Sequence, residues 1–165
     1  MKLFYVYDAV DVDAPTVGVF DNYESAQFVL DHIGLIVEEP AIMECDSESY
    51  VDYNYINEAM NEPESGVYYF VANIADNCVE DCSFNTMEIA KDYCLDNEIE
   101  EYVIRGLRVN SVVDENGVLD ENGEMMTYDE VDMNFYNLIS KMKDNGIKFE
   151  VTKGYYESHY GKMSF

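Results

Sequence analysis

Phe4-Tyr5-Val6-Tyr7 returns 64 residues later as Tyr68-Tyr69-Phe70-Val71, and the same offset carries Phe20, Glu24 and Ala26 onto Phe84, Glu88 and Ala90. Self-similarity at a fixed spacing marks a repeated supersecondary unit. In each copy an aromatic and β-branched run, the signature of a strand, leads to a helix. The helix start is marked by a polar acceptor with Glu three residues on, Asp21 with Glu24 and Asn85 with Glu88. Such a pair satisfies the orphan N–H groups of a first helical turn. The pattern predicts helices over about 22–32 and 86–96, and a second strand from Thr16 to Phe20 in the first unit.

A second offset, of 80, aligns Val51-Asp52-Tyr53-Asn54-Tyr55-Ile56-Asn57 with Val131-Asp132-Met133-Asn134-Phe135-Tyr136-Asn137, and Gly66-Val67 with Gly146-Ile147. The sixteen extra residues fall between about Arg105 and Met126. There Val112-Val113-Asp114-Glu115-Asn116-Gly117-Val118-Leu119 reads as a hairpin turning at Asn116-Gly117, a dipeptide that readily supplies left-handed turn residues. A capping box of Thr127 with Glu130 opens a helix that buries Val131, Phe135, Leu138, Ile139 and Met142 at helical spacing. Its first-unit counterpart runs from about Ser47 to Met60.

The fold class is therefore α+β, two related modules. Each reads strand, strand, helix, strand, helix, with a hairpin insertion in the second and a final C-terminal strand near Ile147 to Thr152. Residues 1–65 make the first module and 66–165 the second; no Pro/Gly/Ser linker separates them, so close packing as one globular unit is expected. Periodicity leaves open whether they share one sheet or form two.

The 165 residues carry 35 Asp and Glu against 9 Lys and Arg, a formal net charge of -26. With 15 Tyr, 8 Phe and 48% hydrophobic residues the chain is built to fold, unlike an acidic disordered tail. Between Leu3 and Ala90 there are 19 carboxylates and no Lys or Arg, while Lys141, Lys143, Lys148, Lys153 and Lys162 fall in the last 25 positions. Self-repulsion on this scale destabilises a compact state, so a chain that keeps it is expected to use the field. Halophilic adaptation fits poorly, because the composition is rich in Tyr, Asn, Ile and Met. No signal peptide or bilayer-length apolar run is read, and Cys45, Cys78, Cys82 and Cys94 are too few for a disulfide framework, so a reducing, cytoplasmic location is expected.

Motifs for catalysis are missing: His32 and His159 stand beside no nucleophile, and there is no phosphate loop or dinucleotide fingerprint. With 35 carboxylates, close pairs arise by chance and identify no acid/base couple. The chain is read as non-enzymatic and without a cofactor. Cys78 and Cys82, separated by three residues in an expected loop, lack the second pair of a zinc site, and Cys94 suits a buried helix face. Asp8, Asp11 and Asp13, or Asp114 with Asn116, set oxygen ligands on turns, but Gly117 comes too early for an EF-hand, so only adventitious divalent binding is expected. The tail from Lys153 to Lys162 sets tyrosines beside basic residues, which is how single strands are stacked; with so acidic a body behind it, packing or dimer contacts are expected instead.

The carboxylates themselves are the remaining candidate. Asp8, Asp11 and Asp13 follow the first strand; Glu38, Glu39, Glu44, Asp46, Glu48 and Asp52 run through a strand and a helix start; Asp76, Glu80 and Asp81 occupy the matching inter-strand loop of the second unit. Duplex DNA carries one charge per about 1.7 Å of axis, so a domain about 40 Å across spans roughly two dozen phosphates, the order of this chain's charge. A solvated face without a partner is the plain alternative.

In size, in the Lys-free acidic stretch from Leu3 to Ala90 and in aromatic richness, the chain resembles the acidic DNA mimics of bacteriophages and mobile elements, the antirestriction and anti-CRISPR proteins. Val17-Gly18-Val19-Phe20 followed by Tyr23-Glu24-Ser25-Ala26 looks like a strand-to-helix step common in small phage proteins. The resemblance implies an inhibitor, monomeric or homodimeric, acting in the host cytoplasm. It would occupy the groove of a basic nucleic-acid-binding partner, a Cas nuclease, a restriction enzyme or a nucleoid protein, and itself bind neither nucleic acid nor membrane. The other reading is an acidic adaptor that binds a basic protein without competing with nucleic acid.

Overall fold

The computed structural model describes residues 2–14, 16–34, 36–46, 66–114, 116–126, 128–153, 155–160 and 163–164. The first unit is β1 (Lys2–Asp8), β2 (Gly18–Phe20), α1 (Tyr23–His32) and β3 (Pro40–Asp46); the second begins with β4 (Val67–Asn73), β5 (Cys78–Phe84), α2 (Met87–Asp96) and β6 (Tyr102–Arg108). In both, the first strand lies in the middle with its two partners antiparallel on either side, giving β3-β1-β2 and β6-β4-β5. The repeat is thus a repeat of topology, and its two helices hold the 64-residue offset from end to end.

Two sheets result. One runs β3-β1-β2-β7-β8 and the other β10-β9-β6-β4-β5, where β7 is Ser111–Val113, β8 Glu150–Thr152, β9 Tyr155–Tyr160 and β10 Met163–Ser164. The chain crosses between the sheets after β6, so β7, α3 (Glu130–Asp144) and β8 complete the first sheet, with β8 parallel to β7. Gly18 makes that junction close: a Cβ there would run into the Ser111 carbonyl oxygen.

Alternation along the strands explains the layers. Leu3, Tyr5, Val19 and Cys45 of the first sheet face Tyr68, Phe70, Ala72, Val103 and Leu107 of the second, and the rings of Tyr5 and Phe70 stack with centroids 4.8 Å apart. The opposite faces also bury apolar side chains. Val6, Phe20 and Val112 meet Val29 of α1 and Phe135, Leu138 and Met142 of α3, whereas Val71, Phe84 and Ile104 meet Ile89, Ala90 and Cys94 of α2. The order is helices, sheet, sheet, helix. Among the described residues no helix is long and apolar enough to cross a membrane.

Several expectations shift. The caps are Asn22, accepting from Ser25 N at 2.8 Å, and Thr86, accepting from Ile89 N at 3.2 Å, each one residue after the predicted Asp21 and Asn85. The cap of α3 is Asp129, bonded to Asp132 N at 2.9 Å, in place of Thr127. The hairpin at Asn116-Gly117 is replaced by a loop in which the Asp114 carboxylate takes Val118 N at 2.7 Å and Leu119 N at 3.1 Å. The insertion's turn lies further on, between Leu119 and its partner Met125, where Asp120 Oδ1 accepts from Asn122 N and Glu124 N. Cys78 and Cys82 belong to β5, not to a loop, and the tail is β9, paired to β6 from Tyr102 to Gly106. The predicted helix from Ser47 to Met60 lies outside the described residues.

Candidate functional site

One end of the sandwich is where β1 and β4 finish and β3, β5 and β6 begin. The loop after β1 folds over it and is held by Asn77 of the β4–β5 turn. The Asn77 amide donates to the Ala9 and Val10 carbonyls at 3.3 and 3.2 Å and accepts from Val12 N at 3.2 Å. Asn77 adopts φ 49°, a left-handed conformation that asparagine tolerates better than most residues. Ala9 N reaches Glu39 O at 2.8 Å and Ile74 N reaches Glu101 O at 2.9 Å, which ties the segments entering β3 and β6 to the same end. Beneath the loop, the buried Arg105 donates through Nη2 to the carbonyls of Asp13 and Ala14 at 2.9 and 3.2 Å.

Asp11, Asp13, Glu38, Glu39 and Asp76 are exposed on this end. From it the edge strands β3 and β5, close neighbours across the two sheets, carry Glu44, Asp46, Glu80 and Asp81 down one side. Of these only Asp76 sits in the turn before β5; Glu80 and Asp81 are strand residues, not loop residues. Glu44 is exposed and pairs with Lys2 at 2.9 Å, which leaves the pair worth little. Glu48 and Asp52 lie outside the described residues. Asp8 differs from the rest: it is 7% exposed, and its carboxylate accepts from Val10 N, Glu39 N and Glu38 N at 3.0, 3.3 and 3.4 Å. It positions Glu38 and Glu39 and presents no charged tip of its own.

Glu100 and Glu101, both exposed, join this end and were missed by the 64-residue comparison. An offset of 62 finds them, placing Glu38-Glu39 on Glu100-Glu101 immediately before the third strand of each unit. Five of the cations gather elsewhere, whereas Arg105 lies under the loop and the exposed Lys153 follows β8, which ends level with the close of β1. Lys2 opens β1 and Arg108 closes β6, 3.9 Å from Glu150, while Lys141 and Lys143 lie in the last turn of α3 and Lys148 just before β8. All five stand at the opposite end.

The acidic edge also surrounds three thiols. Cys45 Sγ contacts the Glu80 carbonyl at 3.6 Å, Cys78 Sγ contacts Glu80 Oε2 at 3.6 Å and Cys82 Sγ contacts Asp81 Oδ1 at 3.6 Å. Burial, then the Cys82, Asp81 and Glu44 groups, push the Cys45 thiol far up; burial and then Glu80 raise Cys78, and they push Cys94 up to about 12. Tyr93, whose hydroxyl donates to Glu80 Oε1 at 3.1 Å, is raised by burial first and Glu80 next. A second anion is disfavoured wherever the carboxylates already stand. Among the described residues, no three His, Cys, Asp or Glu side chains group to hold a metal ion.

These shifts give a signed expectation. A thiol raised in the folded state contributes stability that is complete below its unfolded value of 9.0 and is lost as pH climbs, for Cys94 toward about 12. The urea midpoint is therefore expected to fall between pH 7 and pH 10.5. At pH 8 a thiol-reactive disulfide should modify Cys78 slowly and Cys45, Cys82 and Cys94 only after denaturation; rapid modification of all four in the folded protein would contradict the placement.

No protein-family model, no curated protein and no solved structure matches the chain.

Proposed function

We propose that the acidic end and the β3/β5 edge form a surface that stands in for a nucleic-acid backbone. It would occupy the groove of a basic DNA- or RNA-binding protein of a host defence system and exclude its nucleic acid. The protein acts by binding, without catalysis, in the cytoplasm of the cell that contains its partner. The observation that carries this reading is the bias of charge: Asp11, Asp13, Glu38, Glu39, Asp76, Glu100 and Glu101 share one end, where Lys153 is the one exposed cation among the described residues, and the basic side chains of Lys2, Arg108, Lys141, Lys143 and Lys148 share the other.

Spacing supports it. The seven-residue strand β3 spans about 23 Å, and over that length a duplex presents about 14 phosphates, roughly half of them on any one face. Glu44, Asp46, Glu80 and Asp81 fall along the strands β3 and β5, and Glu38, Glu39 and Asp76 stand at the head of that stretch. Steered association of such a face with a basic groove is fast at low salt and weakens as salt rises.

The test is capture from bacterial lysate on the immobilised protein at low and high salt, followed by elution with duplex DNA. Retention of nucleic-acid-binding proteins that DNA displaces supports the mimic. A complex that accepts DNA without dissociating supports the adaptor reading instead, and retention of nothing basic at any salt overturns both.

A further inference from the structure

A small cavity opens beside the acidic end, between the loop after β1, the Asp114 loop and the first turn of α3. Its volume is about 60 Å³, room for a few water molecules at about 10–15 Å³ each and far below the roughly 300–1,000 Å³ of sites that hold cofactors or nucleotides. Its size suits one extended side chain. Val17, Ile36, Val118 and Val131 supply apolar wall, and two buried carboxylates, Asp114 and Asp132, line the same space. Val131, expected on the buried face of α3, is instead 42% exposed, and Met126, whose N–H bonds the Val118 carbonyl at 2.7 Å, is 61% exposed, so the cavity lies beside accessible apolar surface.

We infer that this cavity is a socket for one lysine side chain of the basic partner, an inference that rests on reading the neighbouring acidic end as a partner-facing surface. Apolar walls suit a four-carbon stem, which lysine buries readily while its charged head seeks polar company. Asp114 and Asp132 come from different elements, a loop and a helix. An ammonium has three rotatable donors and can serve two separate carboxylates, whereas a guanidinium fork favours one carboxylate in its plane. Asp114 already accepts from Val118 N and Leu119 N; a carboxylate offers about four acceptor sites, so two backbone donors do not saturate it. The acidic end would then supply attraction at long range, and the socket would fix the register.

The experiment titrates Nα-acetyl-lysine amide into the full-length isotope-labelled protein and follows backbone amide resonances, with the norleucine and arginine analogues alongside. The lysine compound is expected to give saturable shifts at Val118, Asp132 and Phe135 and to bind at least tenfold more tightly than the norleucine compound. Asp132→Asn should weaken it about tenfold. Val131→Phe, which fills the cavity and leaves the carboxylates in place, should abolish it, and a Glu38→Gln/Glu39→Gln variant should bind as the parent does. Equal binding of norleucine, tighter binding of arginine, or shifts spread over the acidic surface and indifferent to Val131→Phe would each overturn the socket. The probe needs no partner, so a protein that takes it yet captures no nucleic-acid-binding protein would sink the mimic reading alone. A protein that captures such a partner yet shows no local shifts would sink the socket alone.

Discussion

Replacing Phe70 with alanine is expected to destabilise the protein by about 4 kcal/mol, the middle of the range for a buried aromatic truncated in a core. The side chain is 1% exposed on β4, between β5 and β6, and points at the other sheet. Its loss removes apolar burial, leaves a cavity against Leu3 and Leu107, and breaks the stack with Tyr5, itself worth about 0.5–1.5 kcal/mol. Small domains are stable by only about 5–15 kcal/mol, and a net charge of -26 draws on that margin through self-repulsion. Urea denaturation checks the expectation: the midpoint should drop with an unchanged slope, and added salt should recover part of the loss in parent and variant alike. Tyr128→Ala, at a position 78% exposed, should change stability by no more than about 0.5 kcal/mol. A Phe70→Ala cost below about 1 kcal/mol would mean that the two sheets do not share a core.

That core was half legible in the sequence. Leu3-Phe4-Tyr5-Val6-Tyr7 is apolar without alternation, the pattern of a strand covered on both faces, and β1 is covered by a sheet on one side and by helices on the other. The helices were readable because their faces and caps are local. Their starts slipped by one residue because Asp21 and Asn22, like Asn85 and Thr86, are adjacent acceptors, and only backbone geometry decides which one caps. The hairpin at Asn116-Gly117 lost to Asp114, whose carboxylate collects two N–H groups across that turn; Gly117 still takes φ 64°. Nothing local marked the crossing after β6 that sends β7, α3 and β8 to the first sheet, since strand partners are set by long-range packing.

The site was legible as a quantity of charge and much less as an arrangement. Glu100 and Glu101 escaped because the segment from α2 to β6 is two residues shorter than that from α1 to β3, which shifts the repeat from 64 to 62 in passing. Asp8 reads as one more acid in the sequence, and only the chain's return at Glu38 and Glu39 makes it an internal acceptor.

Reversing Glu38, Glu39, Asp76 and Asp81 to lysine is expected to weaken binding to a captured partner by at least about 100-fold. Close charge pairs at a steered interface couple by about 1.5 kcal/mol or more each, and every 1.4 kcal/mol is a factor of ten. The comparison that gives the result meaning reverses Asp21, Glu24, Glu88 and Asp144. These are exposed, lie where β2, β5 and α3 end and α1 and α2 begin, and change the net charge by the same amount. That second variant loses favourable charge from the first turns of α1 and α2, about 0.3–1 kcal/mol each, so it is the less stable of the two by the helix terms. It is nevertheless expected to bind within about tenfold of the parent, with a slower association rate from the reduced overall field. Affinity and rate measured at two salt concentrations separate the cases. A face that docks loses affinity only in the first variant, mostly through faster dissociation; a diffuse field loses it equally in both, mostly through slower association. Equal losses would show that the count of carboxylates matters and their place does not, and the acidic end would then be a solvated surface with no groove to fill.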